Sequence, residues 1–416
     1  MSTTAARLGP TGQAVKGTTR RWPAAIWTLM VATFLVRGFG FTYPFLPYHL
    51  DHLDLSTRTV STVLAVFGAG WLLGSILCGW LADRIGHRTT LITAMLLATA
   101  ALPLLAQVRA TTALFAATFI AGIVYDASRP VFTAAIAETF PDDRVRASVN
   151  AWRHFAVNVG AAVAGALGGL LAARIGIPAL IWINAAACAL VAFLVWQFLR
   201  PDRPHQTEAN AGQRRTHWRT ALHDQGLWLL VLASLAALTC ASSLFSAMPM
   251  LMADDNLTAA DYGWTQVANA GAVLALSPFL NRWLSHRADQ GQPMTGLFAA
   301  GSLVLGTSMG AAGFASTTAG YSVAAALAVP GEIVLFVGAT DILNRLSPPD
   351  ARGLYAGIWG TTLAGAVIIA PALAGWALTH GGGALCAAAT FTAGLTGAAL
   401  CLPLAQHVRR PALTHP

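Results

Sequence analysis

Four ionisable side chains stand in the middle of long apolar runs: Arg37, Asp126, Arg129 and Glu332. Asp126 and Arg129 lie three residues apart in AGIVYDASRPVFTAA (121–135), one helical turn and so one helix face. Glu332 follows a proline and a glycine in AVPGEIVLF, where Pro330 and Gly331 can break a helix and open backbone groups to a ligand. Arginine stays protonated in proteins, whereas a lone carboxyl in dry surroundings can exchange a proton. The set therefore divides into fixed cations and acids that can cycle. Asp126, beside Arg129 and at the depth of Arg37, is expected to be clamped in its charged form, which leaves Glu332 as the first candidate for a coupling proton and Asp126 as the second. Two arginines to one acid leave a positive charge spare, for an anionic substrate group or for Glu332. A competing reading is structural: Arg37, Asp126 and Arg129 form a buried ion cluster that fixes helix packing, and Glu332 is a protonated packing residue.

The elements that must hold these charges are set by composition. Of 416 residues 56% are hydrophobic and 10% charged, against about a quarter charged in a soluble domain, so most of the chain must be solvated by lipid. Measured against the roughly 20 apolar residues that cross a bilayer, the sequence offers twelve spans, at 24–47, 60–82, 91–107, 111–138, 148–173, 177–200, 225–251, 260–281, 295–317, 320–345, 353–377 and 381–404. With both ends cytoplasmic, twenty of the 25 Lys and Arg fall on the inner side, three outside (Arg58, Arg109, Arg174) and two within spans (Arg37, Arg129). That bias follows the positive-inside rule and accounts for the net charge of +8 without nucleic acid. The basic first 23 residues and the long apolar run after them argue against a cleavable signal peptide. Five cysteines sit in apolar runs without metal-ligand spacing, and neither a metal nor a disulfide is expected.

The polar stretch 201–224 divides the chain into an N-terminal bundle (24–200) and a C-terminal bundle (225–404), flanked by cytoplasmic tails at 1–23 and 405–416. The halves echo each other. RASVNAW (146–152) matches RGLYAGIW (352–359), and YPFLPYHLDHLDLS faces SAMPMLMADDNLT with Pro47 aligned to Pro249 and Leu55 to Leu257. Parallel repeats of this kind suit a transporter with a midplane site between two bundles.

Between spans two and three the chain reads GWLADRIGHRTTL (79–91). Gly79 allows close helix packing and Gly86 a tight turn, and Arg84 and Arg88 suit a helix C-terminus. Asp83 at that terminus meets the wrong dipole, so it is expected to pair elsewhere. The stretch closely resembles the G-x-L-A-D-R-x-G-R-R-x-x-L signature of the major facilitator superfamily, with His87 in place of its first paired base. The resemblance implies an all-α membrane fold of two pseudo-symmetric six-helix bundles, with Gly79, Asp83, Arg84, Gly86 and Arg88 forming a cytoplasmic latch of the outward-facing state. Its counterpart NRWLSHRADQG (281–291) has His286 where Asp83 would be.

GAAVAGALGG, with Gly160, Gly165, Gly168 and Gly169, resembles the helix 5 motif of the drug:proton antiporter branch, Ala164 and Gly165 replacing its Gly-Pro. APALAG, with Pro371 and Gly375, sits at the equivalent place in helix 11, and GFTYPFLP resembles the branch's helix 1 pattern. Generic small-residue packing explains the same glycines equally well.

In this superfamily helices 1, 4, 7 and 10 line the cavity, which places Arg37, Asp126, Arg129 and Glu332 on cavity helices. Further lining is expected from Phe41, Tyr43, Phe45, Tyr125, Asn158, Phe245, Met248, Met250, Gln266, Asn269 and Trp359, with Tyr43 and Tyr125 the favoured substrate contacts. Asp341 and Arg345 are expected to pair at the inner end of helix 10. The resemblance implies a monomeric, multi-pass plasma-membrane transporter, not an enzyme, driven by protons without a cofactor and exporting a small organic or drug-like compound by antiport. A proton symporter importing a small organic anion is the alternative, and a receptor or assembly protein that kept the fold is the third reading. No Walker loop, HExxH or dinucleotide fingerprint is present.

Overall fold

A computed structural model describes residues 24–125, 128, 129, 131, 132, 135, 143–199, 219–291, 293–348 and 351–409. The described elements are helical: α1 Ala24–Gly38, α2 Thr42–Asp51, α3 Thr57–Ile85, α4 His87–Gln107, α5 Thr111–Val124, α6 Asp143–Ile175, α7 Ile177–Phe198, α8 Gln225–Ser242, α9 Ala247–Asp254, α10 Ala259–Asp289, α11 Thr295–Ala311, α12 Thr318–Leu346 and α13 Arg352–Arg409. Among the described residues nine helices are long and apolar enough to cross a membrane. α10 is not one of the nine, because Asp261, Gln266, Asn269 and its charged C-terminal turns dilute its apolar content. The 58-residue α13 is two helices merged across non-helical Gly381 and Gly382, at the sequence cut between 377 and 381. Large apolar side chains face outward, with Trp27, Leu104, Phe193, Phe279 and Leu402 all more than half exposed. The surface is that of a multi-pass membrane protein.

Helix starts carry the expected chemistry. Ser56 caps α3 by accepting from the Thr59 N–H (3.2 Å), and Asp224 caps α8 by accepting from the N–H groups of Gly226 and Leu227. At α10, Thr258 and Asp261 satisfy each other's N–H groups in a capping box. Gly86 turns α3 into α4 at φ 87°, where a side chain would be strained.

Three expected spans are interrupted or end early. The first breaks at Phe39–Phe41 into α1 and α2, and the seventh breaks at the 3₁₀ turn Ser243–Phe245 between α8 and α9. In the fourth, α5 ends at Val124 with Tyr125 in extended conformation (ψ 124°). The two breaks occupy aligned places in the repeat. So do Asp54 (φ 53°) and Asn256 (φ 60°), and the cation–π pairs Arg84–Trp80 (4.3 Å) and Arg287–Trp283 (5.3 Å).

Two seams join the halves, α3 against α13 and α6 against α10. A Cβ on Gly68 would meet the Val367 backbone at 2.9 Å, one on Gly375 would collide with Ser61, and Gly169 approaches Gly263 Cα to 3.0 Å. All these contacts lie toward the Ser56 end of the helices. Toward the Gly86 end, Cβ atoms on Gly79, Gly357 and Gly360 would meet nothing within 4 Å. The seams are closed at the Ser56 end and splayed at the Gly86 end.

Candidate functional site

Below the closed end lies a cavity of about 420 Å³ bordered by both halves. Arg37 enters it from the last turn of α1, where the helix dipole favours a cation. The chain can turn there because a Cβ on Gly40 would stand 2.6 Å from the Val36 carbonyl, so only glycine fits. Buried Asn184 on α7 then captures the start of α2, accepting from both the N–H (3.3 Å) and the hydroxyl (2.7 Å) of Thr42. The Tyr125 hydroxyl donates to the Gly40 carbonyl at 3.5 Å. The break that aims Arg37 is thus held from α7 and from the end of α5.

Arg129 and Glu332 line the same cavity. Asp126 lies outside the described residues. Sequence reasoning missed Arg153: it was counted with the basic inner loop, yet α6 carries it into the wall beside Asn158. Its spacing from Gly160, two helical turns along the same helix, is the signal that could have found it. Three guanidiniums therefore face the cavity among the described residues. Pro330 and Gly331 do not break α12, which is continuous from Thr318 to Leu346. Gly331 instead lets α11 approach, its Cβ position lying 2.9 Å from the Gly301 carbonyl. No hydrogen bond or ion pair within 4 Å holds Glu332 among the described residues. It also borders a second cavity of about 480 Å³, which runs between α10 and α12 toward the Gly86 end.

Of the expected lining, Tyr43, Tyr125, Asn158, Phe245, Gln266 and Asn269 are in the wall, and Trp71 joins them. Phe41 and Phe45 pack against Gly168 instead, Met248 and Met250 are buried, and the Trp359 N–H donates to Ser234 (2.9 Å). The Tyr43 ring stacks on Phe67 at 5.2 Å and lies 6.0 Å from both Tyr125 and Phe245. Its hydroxyl, and Nε2 of Gln266, are buried without a hydrogen-bond partner among the described residues. Such groups cost about 1–3 kcal/mol each when left unsatisfied.

The helix 5 glycines divide between two neighbours. Gly160 and Gly168 admit α1 and α2 (Arg37 Cβ at 2.8 Å, the Phe45 ring), while Gly165 and Gly169 admit α10 at Gln266 and Gly263. Gly375 admits Ser61 of α3, and Pro371 lies within α13. The expected latch is not engaged among the described residues. Asp83 and Arg84 are exposed, Asp83 makes no ion pair among the described residues, and Arg84 stacks on Trp80. Arg88 donates to the Trp196 carbonyl of α7 at 2.6 Å. The physical reason is the splay: with the seams open at this end, no described residue of the other half pairs with Asp83. Asp341 and Arg345 do pair, at 2.9 Å, and also bind the Met294 N–H and Gly291 carbonyl of the turn into α11.

Residues 26–371 match the sequence profile of the Major Facilitator Superfamily. The fold resembles a crystal structure of a POT family transporter in complex with a thioalcohol-conjugated peptide (TM-score 0.77, 15% identity, 92% of this chain and 96% of that one). It also resembles a POT family transporter in complex with 5-aminolevulinic acid (0.76, 16%, 94% and 98%) and the nucleoside transporter NupG (0.73, 12%, 93% and 100%). At these identities the likeness is one of fold. A 78-residue stretch is 40% identical to part of apolipoprotein N-acyltransferase from Methylococcus capsulatus, covering 18% of this chain and 15% of that protein.

Proposed function

The chain belongs to the major facilitator superfamily, and from that premise we propose that it is a proton-coupled secondary transporter of a small organic anion. In this reading twelve spans form two six-helix bundles (24–200 and 225–404) joined by the 201–224 linker, both termini are cytoplasmic, and the Gly86 end faces the cytoplasm. The conformer described above is then inward-facing. The observation that carries the substrate class is the wall of the central cavity, with Arg37, Arg129 and Arg153 against Glu332.

The coupling follows from charge. Ionised Glu332 competes with a substrate anion for the guanidiniums, and its protonation removes that competitor. Proton and anion therefore favour each other's binding, and the linkage is reciprocal. Mutual stabilisation means that both cross together, which is symport. A cationic solute would instead compete with the proton, which is antiport. Export by antiport, expected from the helix 5 resemblance, is the weaker reading because among the described residues three arginines and one carboxyl line the cavity. Asp83, Arg84 and Arg88 would act as the latch in the opposite conformer, where the Gly86 end closes. Proteoliposomes made acidic outside test the proposal. A radiolabelled carboxylate should accumulate in them with wild-type protein, and accumulation should vanish in Glu332→Gln while counterflow persists. Accumulation driven only by an alkaline exterior would reverse the assignment to antiport.

A further inference from the structure

Two residues of the cavity wall carry polar atoms that have no place in the proton machinery. Tyr43 Oη and Gln266 Nε2 are both buried without a partner among the described residues, their residues being 4% and 5% exposed, and both residues line the central cavity. The Tyr43 ring is not free to turn away. Rings of Phe67, Trp71, Tyr125 and Phe245 enclose Tyr43 with centroids between 5.2 and 6.1 Å. Gln266 Cβ lies against Gly165 of α6, in the closed seam. A buried donor held in place without an acceptor calls for a specific explanation, such as a ligand. Both residues sit at the closed end, with an aromatic stretch of wall nearby.

We infer that Tyr43 and Gln266 form a second recognition subsite, which donates hydrogen bonds to a neutral oxygen of the substrate. The inference rests on the anion reading given under Proposed function and narrows it. The acidic group lies with the arginines, a flat apolar body lies against Trp71, Tyr125 and Phe245, and a carbonyl, ether or hydroxyl oxygen reaches the closed end. About 420 Å³ is room for a single-ring solute of this kind. Tyr43 and Gln266 are then specificity determinants. A site built to hydrogen-bond a substrate oxygen rejects an analogue that lacks it, because its own donors are left unpaired.

Two readouts test this. First, Tyr43→Phe and Gln266→Leu should leave the melting temperature of the ligand-free protein in detergent unchanged or raised. A loss of more than about 5 °C in both would show that the groups have structural partners and overturn the inference. Second, 4-acetylbenzoate and 4-isopropylbenzoate match in size and differ in one acceptor oxygen, and binding can be followed by quenching of tryptophan fluorescence. Wild type should prefer the acetyl acid by about tenfold, and each variant should bind the two within about twofold while holding the isopropyl acid as well as wild type does. Equal binding by wild type, or a preference that survives both substitutions, overturns the subsite. The methyl esters separate the two levels of the argument. Esters that bind as tightly as the acids would refute the anion reading while the acetyl preference stands on its own. Failure of both acids to bind at concentrations on the order of 10 mM would refute the subsite together with the anion reading.

Discussion

Tyr43 and Phe245 occupy aligned positions in the two halves of the repeat, and their rings meet at 6.0 Å above the central cavity. Each stands at a helix break, Tyr43 at the start of α2 and Phe245 at the end of the 3₁₀ turn before α9. The pair closes the Ser56 end where the halves face each other. An aromatic contact of this kind is worth about 0.5–1.5 kcal/mol beyond its area. Phe245→Ala should therefore shift the conformational equilibrium roughly two- to tenfold toward opening at that end. Labelling of a cysteine placed at Ser242, with a membrane-impermeant thiol reagent applied from the Ser56 side, should rise accordingly; unchanged labelling would mean that the rings are not a gate.

The α6–α10 seam depends on backbone approach. Gly169 lies 3.0 Å from Gly263 Cα and 3.2 Å from Ala260 Cα, measured at its Cβ position. Gly169→Val should prevent this closure and trap the protein open at the Ser56 end, so that transport is lost while the protein still folds and inserts. A cysteine pair at Ala260 and Leu170 would report it: cross-linking that persists in Gly169→Val would show that the seam tolerates the added bulk.

Asn184 holds the broken helix that aims Arg37, accepting two hydrogen bonds from Thr42. Asn184→Leu leaves both donors unsatisfied in a buried place, and about 1–3 kcal/mol of stability should be lost. Thermal unfolding in detergent should show it, and Thr42→Val should be less damaging because one of the two donors is then gone. Equal losses in the two variants would indicate that Asn184 acts through packing alone.

Asp83 makes no ion pair among the described residues in this conformer, so Asp83→Asn should not weaken it. If the residue latches the opposite conformer, the substitution should raise cysteine accessibility in the cavity from the Gly86 side and slow transport. Wild-type accessibility and wild-type transport together would remove Asp83 from the cycle.

Much of this arrangement was legible in the sequence because lipid imposes simple rules. Apolar length located the helices, and the glycines of 160–169 identified a close-packing face, since a missing Cβ has few other uses in a membrane helix. Arg37, Arg129 and Glu332 reached one cavity because a charge in an apolar span has few places to go. The breaks were harder. Pro330 and Gly331 looked like an interruption, yet the helix absorbs the proline and uses the glycine for packing. The true break beside Arg37 depends on Asn184, more than 140 residues away, a contact that no local pattern encodes. Arg153 was hidden for a related reason: a basic residue near a charged loop is counted with the loop until the helix rotation is known. Phe41, Phe45, Met248 and Met250 were misread as lining because periodicity does not say which of two buried faces meets a cavity.

The central claim is that protonation at Glu332 and anion binding at the arginines favour each other. Its most direct test is the affinity for 4-acetylbenzoate as a function of pH, kept above about pH 5 so that the probe itself remains ionised. In the wild-type protein affinity should rise as pH falls, by up to about tenfold per pH unit where Glu332 titrates. In Glu332→Gln, which mimics the protonated acid, affinity should be high and nearly flat with pH. Affinity that falls on acidification, or an unchanged pH dependence in Glu332→Gln, would contradict the account.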